Sequence, residues 1–338
     1  MLLGDIIELR QGPARDALGV GRPILEALGE ALGDGAEVVI VPGNHDHHLL
    51  SGWLDRRART APPSPLELEQ PVDWRAGEPL AVIARALSGG GATVRAAYPG
   101  VWLRDDVWAM HGHYCDPHTT VPMFERLGAG VMRRITGLTD GGPRTVDDYE
   151  RILAPIYAWL YALAQHGGPS LGRSSHGASA RAWQALEGGA GRRRSPRDRL
   201  RRRSALLAFP ALLAALNRAQ LGPLHADLSG PELRRAALRA CGEAVTRLGV
   251  EARDVVFGHT HRAGPLEGDA RDEWVARGGP RLTNTGCWVH EPGFLGPRPH
   301  ESPYRAGFAA RLDGDEAPRL LNLLDSRQGA SPGVKHTA

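Results

Sequence analysis

Lysine is almost absent from this chain: among 41 basic residues only Lys335 is a lysine, and the others are arginine. With 43 glycines and 26 prolines among 338 residues, this points to the coding bias of a GC-rich genome and takes weight off any single arginine. Cysteine is scarce as well. Cys115, Cys241 and Cys287 are odd in number and far apart, so they form neither a disulfide framework nor a CxxC site, and a reducing cytoplasm is expected. No apolar run reaches the roughly 18–20 residues that span a bilayer; the longest, Ile152 to Ala164 and Ala205 to Leu216, both fall short. Asp5 and Glu8 interrupt the apolar start, so no secretory leader is expected.

Net positive charge is confined to one stretch of the chain. Arg192 to Arg203 holds eight arginines and one aspartate, which is +7 of a net +3 and leaves −4 for the remainder. A surface that coats nucleic acid is thereby disfavoured. The hydrophobic share of 42% and charged share of 23% suit a globular protein. Its length suffices for one large domain or a domain with a sizeable insertion.

What is present is a repeated pattern. "EVVIVPGNHD" (Glu37 to Asp46) reads as a buried strand ending in a tight loop, and "GRPILEALGEALGDG" before it reads as a helix with a glycine stop. "TVRAAYPGVWLRDDVWAMHGH" gives two strands about the Arg104–Asp106 turn, and "ARDVVFGHTH" gives another strand ending in Gly-His. Strand, helix, strand order implies an α/β sheet with helices outside. The polar residues fall at strand C-terminal ends, where open α/β sheets place ligands. Four segments share this composition: Gly4-Asp5, Gly43 to Asp46, His111 to His113 and Gly258 to His261. Carboxylate, amide and imidazole donors without thiolate suit Mn²⁺, Fe or Zn²⁺.

In this order the four segments resemble the calcineurin-like metallophosphoesterase family over roughly residues 1–120 and 245–290. The resemblance implies an α/β fold of two β-sheets packed as a sandwich and flanked by helices (four layers, αββα), with a helical insertion. It implies hydrolysis of a phosphomonoester, phosphodiester or pyrophosphate by water bridging two divalent ions, manganese first, with iron or zinc as alternatives. Asp5 would bridge the ions. Asn44, His111 and His259 would complete the second, and His261 would bind the first. His45 would donate to the leaving or phosphoryl oxygen, with Asp46 fixing its orientation. Glu8 matches the acidic position of the second family motif or is a capping carboxylate. His113, Asp116 and His118 line the substrate pocket or pack their loop. Trp288 and His290 are pocket candidates on a loop expected to close the site, while His47 and His48 read as surface residues.

One family motif, D-x-H on the first strand, has no counterpart here, which leaves the first ion with Asp5 and His261. The expectation is that Met1 is an internal codon called as a start, so that the frame upstream encodes an Asp-x-His. The domain reading is 1–120 with 245–325 for the phosphoesterase, 121–244 for a helical insertion or cap, and 326–338 for a disordered tail. Family members that cleave lipid pyrophosphates use such a cap to hold acyl chains. A phosphorylated small molecule or lipid is therefore the expected partner, with peripheral membrane contact through Arg192 to Leu216 set against an ordinary core helix. Two rivals stand beside this reading: a nucleic-acid phosphodiesterase, and a degenerate non-catalytic member acting as a binding module.

Overall fold

The computed structural model describes residues 1–138, 141–166, 209–219, 221–227, 229–290, 292–296 and 298–325. In chain order its main elements are β1 (Leu2–Leu3), α1 (Ala14–Leu32), β2 (Glu37–Val41), α2 (Ser51–Ala58), β3 (Glu69–Val72), α3 (Pro79–Leu87), β4 (Thr93–Arg104) and β5 (Val107–Met110). They continue with α4 (Phe124–Ile135), α5 (Val146–His166), α6 (Gly230–Arg247), β6 (Asp254–Phe257), β7 (Arg281–Asn284), β8 (Phe308–Arg311) and β9 (Arg319–Asn322). The helix before β2 starts at Ala14 rather than near Gly21 and runs through Pro23. It stops where Gly33 takes a positive φ and returns its N–H to the Gly29 carbonyl.

Seven strands form one mixed sheet, ordered β1-β2-β4-β5-β6-β7, with β3 also paired to β4. Where a pair of stacked sheets was expected, the described strands form one continuous curled sheet, and β8 and β9 form a separate hairpin. The long strand β4 explains why the site forms where it does. β2 runs parallel to its first third, with Ile40 opposite Ala96, while β5 runs antiparallel to its last third, with Met110 opposite Gly100. The C-terminal ends of β2 and β5 therefore point at each other along β4. β1 is parallel to β2, and β6 and β7 are parallel to β5, so the loops after all five strands gather at one place.

Strand side chains alternate between faces with period two. Val38 and Ile40 join a core with residues of α1, α3 and α5. Trp108, Met110, Val255 and Phe257 join one with α6. The opposite faces, Val39, Val41, Val107, Ala109 and Val256, meet in a third core. Each such side chain contributes ~1.5–3 kcal/mol on burial. The boundaries at 121 and 244 mark no break in packing. Ala129 of α4, Tyr149, Ile152, Leu153 and Ile156 of α5, and Ala244 of α6 share the first core with the sheet residues. No described helix is long and apolar enough to cross a membrane. Residues 192–208 of the proposed membrane-contact segment and the whole 326–338 tail lie outside the described residues.

A buried polar knot lies inside the first core. The Glu150 carboxylate of α5 accepts the hydroxyls of Tyr98 and Tyr114, both at 2.7 Å, and lies 3.0 Å from His47 Nε2. His47 is thus buried, not on the surface, because it faces the Glu150 carboxylate that α5 sends into this core. His48 stacks on Tyr161 at 3.5 Å between centroids. The knot joins α5 to the loop after β2, the middle of β4 and the turn after β5.

Candidate metal centre

The convergent strand ends bring Asp5, His111 and His259 together with one ligand atom each inside 4.8 Å of the others. His111 Nε2 lies 3.1 Å from Asp5 Oδ2 and 3.2 Å from Asn44 Oδ1. Its Nδ1 lies 3.0 Å from the Leu3 carbonyl, so Nδ1–H donates there and Nε2 presents its lone pair to the two oxygens. Three electron-rich atoms in contact need a cation or a proton among them. Without an ion the proton serves: burial disfavours the charged ring, yet the Asp5 carboxylate pushes the His111 pKa up to about 9. Burial alone would raise Asp5, but His111 and His45 hold it well below the usual carboxylate range. A carboxylate, an amide oxygen and two imidazoles fit Mn²⁺, Fe or Zn²⁺.

The backbone is strained at the same place. Among the described residues, Asp5 (φ 52°), His259 (66°) and His261 (62°) are the non-glycine residues with positive φ. Such conformations cost on the order of 1–3 kcal/mol each and persist where the surroundings impose them. The His259–His261 turn is held by Asn284, whose amide donates to the Gly258 carbonyl at 3.2 Å and the Thr260 hydroxyl at 2.8 Å. Arg262 locks the turn's far side through a fork onto Asp269 at 2.6 and 2.7 Å. His261 feels the charges of Asp5, His259, His45 and His111, and burial lowers its pKa to about 4. It lies outside the three-residue group.

Two glycines make the close approach possible. A methyl at Gly4 would overlap the His111 ring, and one at Gly43 would meet the Asp5 carboxylate and sit 2.7 Å from His111 Cδ2. Gly43→Ala is therefore expected to weaken Mn²⁺ binding at least tenfold in calorimetry and to cost ~1–3 kcal/mol of stability by overpacking. Gly12→Ala, with open space around it, is the control that leaves both unchanged. Equal affinity for the two variants would contradict the packing account.

The Asp46 carboxylate collects backbone N–H groups. Its Oδ1 accepts the N–H of Gly43 at 2.6 Å and of Asp5 at 3.2 Å, and its Oδ2 accepts the N–H of Ile6 at 2.8 Å. It fastens the loop after β1 to the loop after β2. Burial and the Asp5 charge raise its pKa to about 6. The His45 ring is instead paired through Nδ1 with Glu8 Oε2 at 2.5 Å, and the His45 N–H donates to Asp5 Oδ1 at 2.8 Å. Burial works against a charged His45 ring, yet Asp5 and Glu8 raise its pKa.

No protein-family model, curated protein or solved structure matches this chain. The site is read from its own geometry.

His113 is 2% exposed, with Nε2 3.0 Å from the Tyr98 hydroxyl; burial, then His111, His47 and His259, holds its pKa well below the usual histidine range. It is a core residue and not a pocket wall, because the turn after β5 folds inward beneath α5. Asp116 is equally buried and pairs with His259. His118 faces the Tyr149 hydroxyl at 2.6 Å. Trp288 and His290 are exposed, and the Trp288 indole N–H donates to the Phe308 carbonyl of β8 at 2.9 Å; their described contacts do not reach the ligand group. Sequence reasoning missed Asn284, Arg262 and Glu150. Only Asn284 carried a signal, as the first residue of the loop expected to close the site.

Proposed function

We propose that this chain hydrolyses a phosphate ester at a dinuclear metal centre on a calcineurin-like metallophosphoesterase fold, with a phosphorylated small molecule or lipid as substrate. The observation that carries the reading is the convergence of Asp5, His111 and His259 on one point, beside Asn44 and His45. The third core supports the layered part of it: side chains on one face of both halves of the curled sheet gather into a single cluster there, as the inner faces of a sandwich would.

Asp5, Asn44, His111 and His259 would hold one ion, and Asp5 with His261 would hold the other, manganese being the first candidate. Two divalent ions there would supply Lewis acidity toward the phosphoryl group and its attacking water. The chain's own contribution is the His45–Glu8 pair. With the His45 ring charged, as Asp5 and Glu8 favour against burial, Nδ1–H donates to Glu8 and Nε2–H would be the proton passed to a leaving oxygen. Its backbone N–H holds Asp5 in place meanwhile. Asp46 keeps the two loops in register so that His45 and Asp5 stay on adjoining sides of the site.

The test is hydrolysis of bis-p-nitrophenyl phosphate and p-nitrophenyl phosphate by the Mn²⁺-loaded protein. His45→Ala is expected to lower kcat on the order of 10²–10⁴-fold while the bound metal, measured by elemental analysis, stays constant. A wild-type chain that binds no Mn²⁺, Fe or Zn²⁺ and turns over neither substrate would exclude the proposal.

A further inference from the structure

We propose that Asp116 is a positioning residue of the metal centre: its buried carboxylate engages His259 Nε2 so that Nδ1 is the atom presented to the ion. The assignment rests on reading Asp5, His111 and His259 as metal ligands. It reaches a residue that the sequence marked only as a pocket or packing candidate.

The geometry is short and enclosed. Asp116 Oδ1 lies 2.7 Å from His259 Nε2, and both side chains are nearly inaccessible, at 3% and 9% exposure. A neutral imidazole carries one N–H. Committing it to a carboxylate at Nε2 leaves the lone pair on Nδ1 and makes the ring a stronger donor. Asp116 sits in the helical turn His113–His118, which follows the ligand His111 directly. The turn is held by Cys115 N–H to the Gly112 carbonyl at 3.0 Å and Thr119 N–H to the Cys115 carbonyl at 3.1 Å. One turn therefore fixes His111 by chain connection and His259 by a charged hydrogen bond. Main chain and ring of His259 are both constrained, since its φ of 66° is imposed as well.

A purely structural aspartate would look different. Asp46 spends both oxygens on three backbone N–H groups, whereas Asp116 Oδ2 is buried and has no hydrogen-bond partner. A buried carboxylate so thinly satisfied is costly unless a positive charge lies close. Arg10 supplies part of that charge, and the place for the rest is across the His259 ring, where the ligand atoms converge.

The experiment titrates metal-free protein with Mn²⁺ and Zn²⁺ by calorimetry, comparing wild type with Asp116→Asn. The variant is expected to bind about 10–100-fold more weakly while circular dichroism and thermal melting of the metal-free form stay the same. A variant that binds as wild type does overturns the role of Asp116 alone. A wild type that binds neither metal overturns the metal-centre reading and this assignment with it. Should the variant fail to fold, imidazole ¹⁵N spectra of the wild type decide, with the His259 signals identified by their loss in His259→Gln. A proton on Nε2 supports the role, and a proton on Nδ1 sinks it.

Discussion

Asp5→Asn is expected to lower phosphodiester turnover by about a thousandfold or more, a loss of ~4 kcal/mol of transition-state stabilisation, and to strip metal from the protein. The substitution keeps the side chain's shape and still offers an acceptor to the His45 N–H, now 2.8 Å away. What it removes is the negative charge that faces His111 Nε2 at 3.1 Å. The remaining set of two imidazoles and two amides is neutral, which is a poor host for a dication and poorer still for two. Elemental analysis after dialysis should show the loss directly, alongside kcat for bis-p-nitrophenyl phosphate. Full metal content with turnover within tenfold of wild type would remove Asp5 from the centre of the mechanism.

The largest effect on stability is expected from Glu150→Ala. Tyr98, Tyr114 and His47 all direct their polar atoms at this carboxylate, and alanine would leave them facing a cavity. Breaking one side of a buried charged network costs ~3–5 kcal/mol, against ~1–3 kcal/mol for an ordinary unsatisfied group. The pH dependence has a defined sign. Burial would raise Glu150 above its ordinary value of 4.5, but His47 and the two tyrosine hydroxyls lower it. A lowered carboxylate stabilises the fold above its ordinary pKa and stops doing so as pH falls through the folded value. The gap between wild type and Glu150→Ala in urea unfolding should therefore be widest near neutral pH and shrink below 4.5. A gap of less than 1 kcal/mol at pH 7 would mean that the knot is not held by this carboxylate.

Much of the site was legible because its chemistry follows apolar runs. Val38 to Val41 and Val255 to Phe257 announce strands, and glycine beside a polar residue marks the turn that ends each one. Pairings between distant side chains were not legible. Nothing in the spacing of Asp116 and His259 distinguishes a charged contact from a pocket wall, and His47 looks solvated until α5 delivers Glu150 from about a hundred residues away. The backbone contacts of Asp46 were not legible either, because a sequence does not reveal which N–H groups a carboxylate will collect. The helices after residue 121 read as an appendage since their Ala, Leu and Arg pattern resembles an ordinary amphipathic surface helix. Only packing shows that Ile152 and Leu153 complete the same core as Ile40.

The shared strand β4 has a mechanical consequence. Three residues, Ala97 to Pro99, separate Ala96, opposite Ile40, from Gly100, opposite Met110, and this stretch acts as a gauge block between the two halves of the site. One residue inserted there would advance the β5 loop by about 3.3 Å, more than the distance from His111 to either Asn44 or Asp5. It would also turn the strand side chains beyond it to the opposite face of the sheet, out of the cores that β4 and β5 feed. Core and ligand set would be lost together, so at β4 the length that the fold requires and the length that the site requires are one and the same.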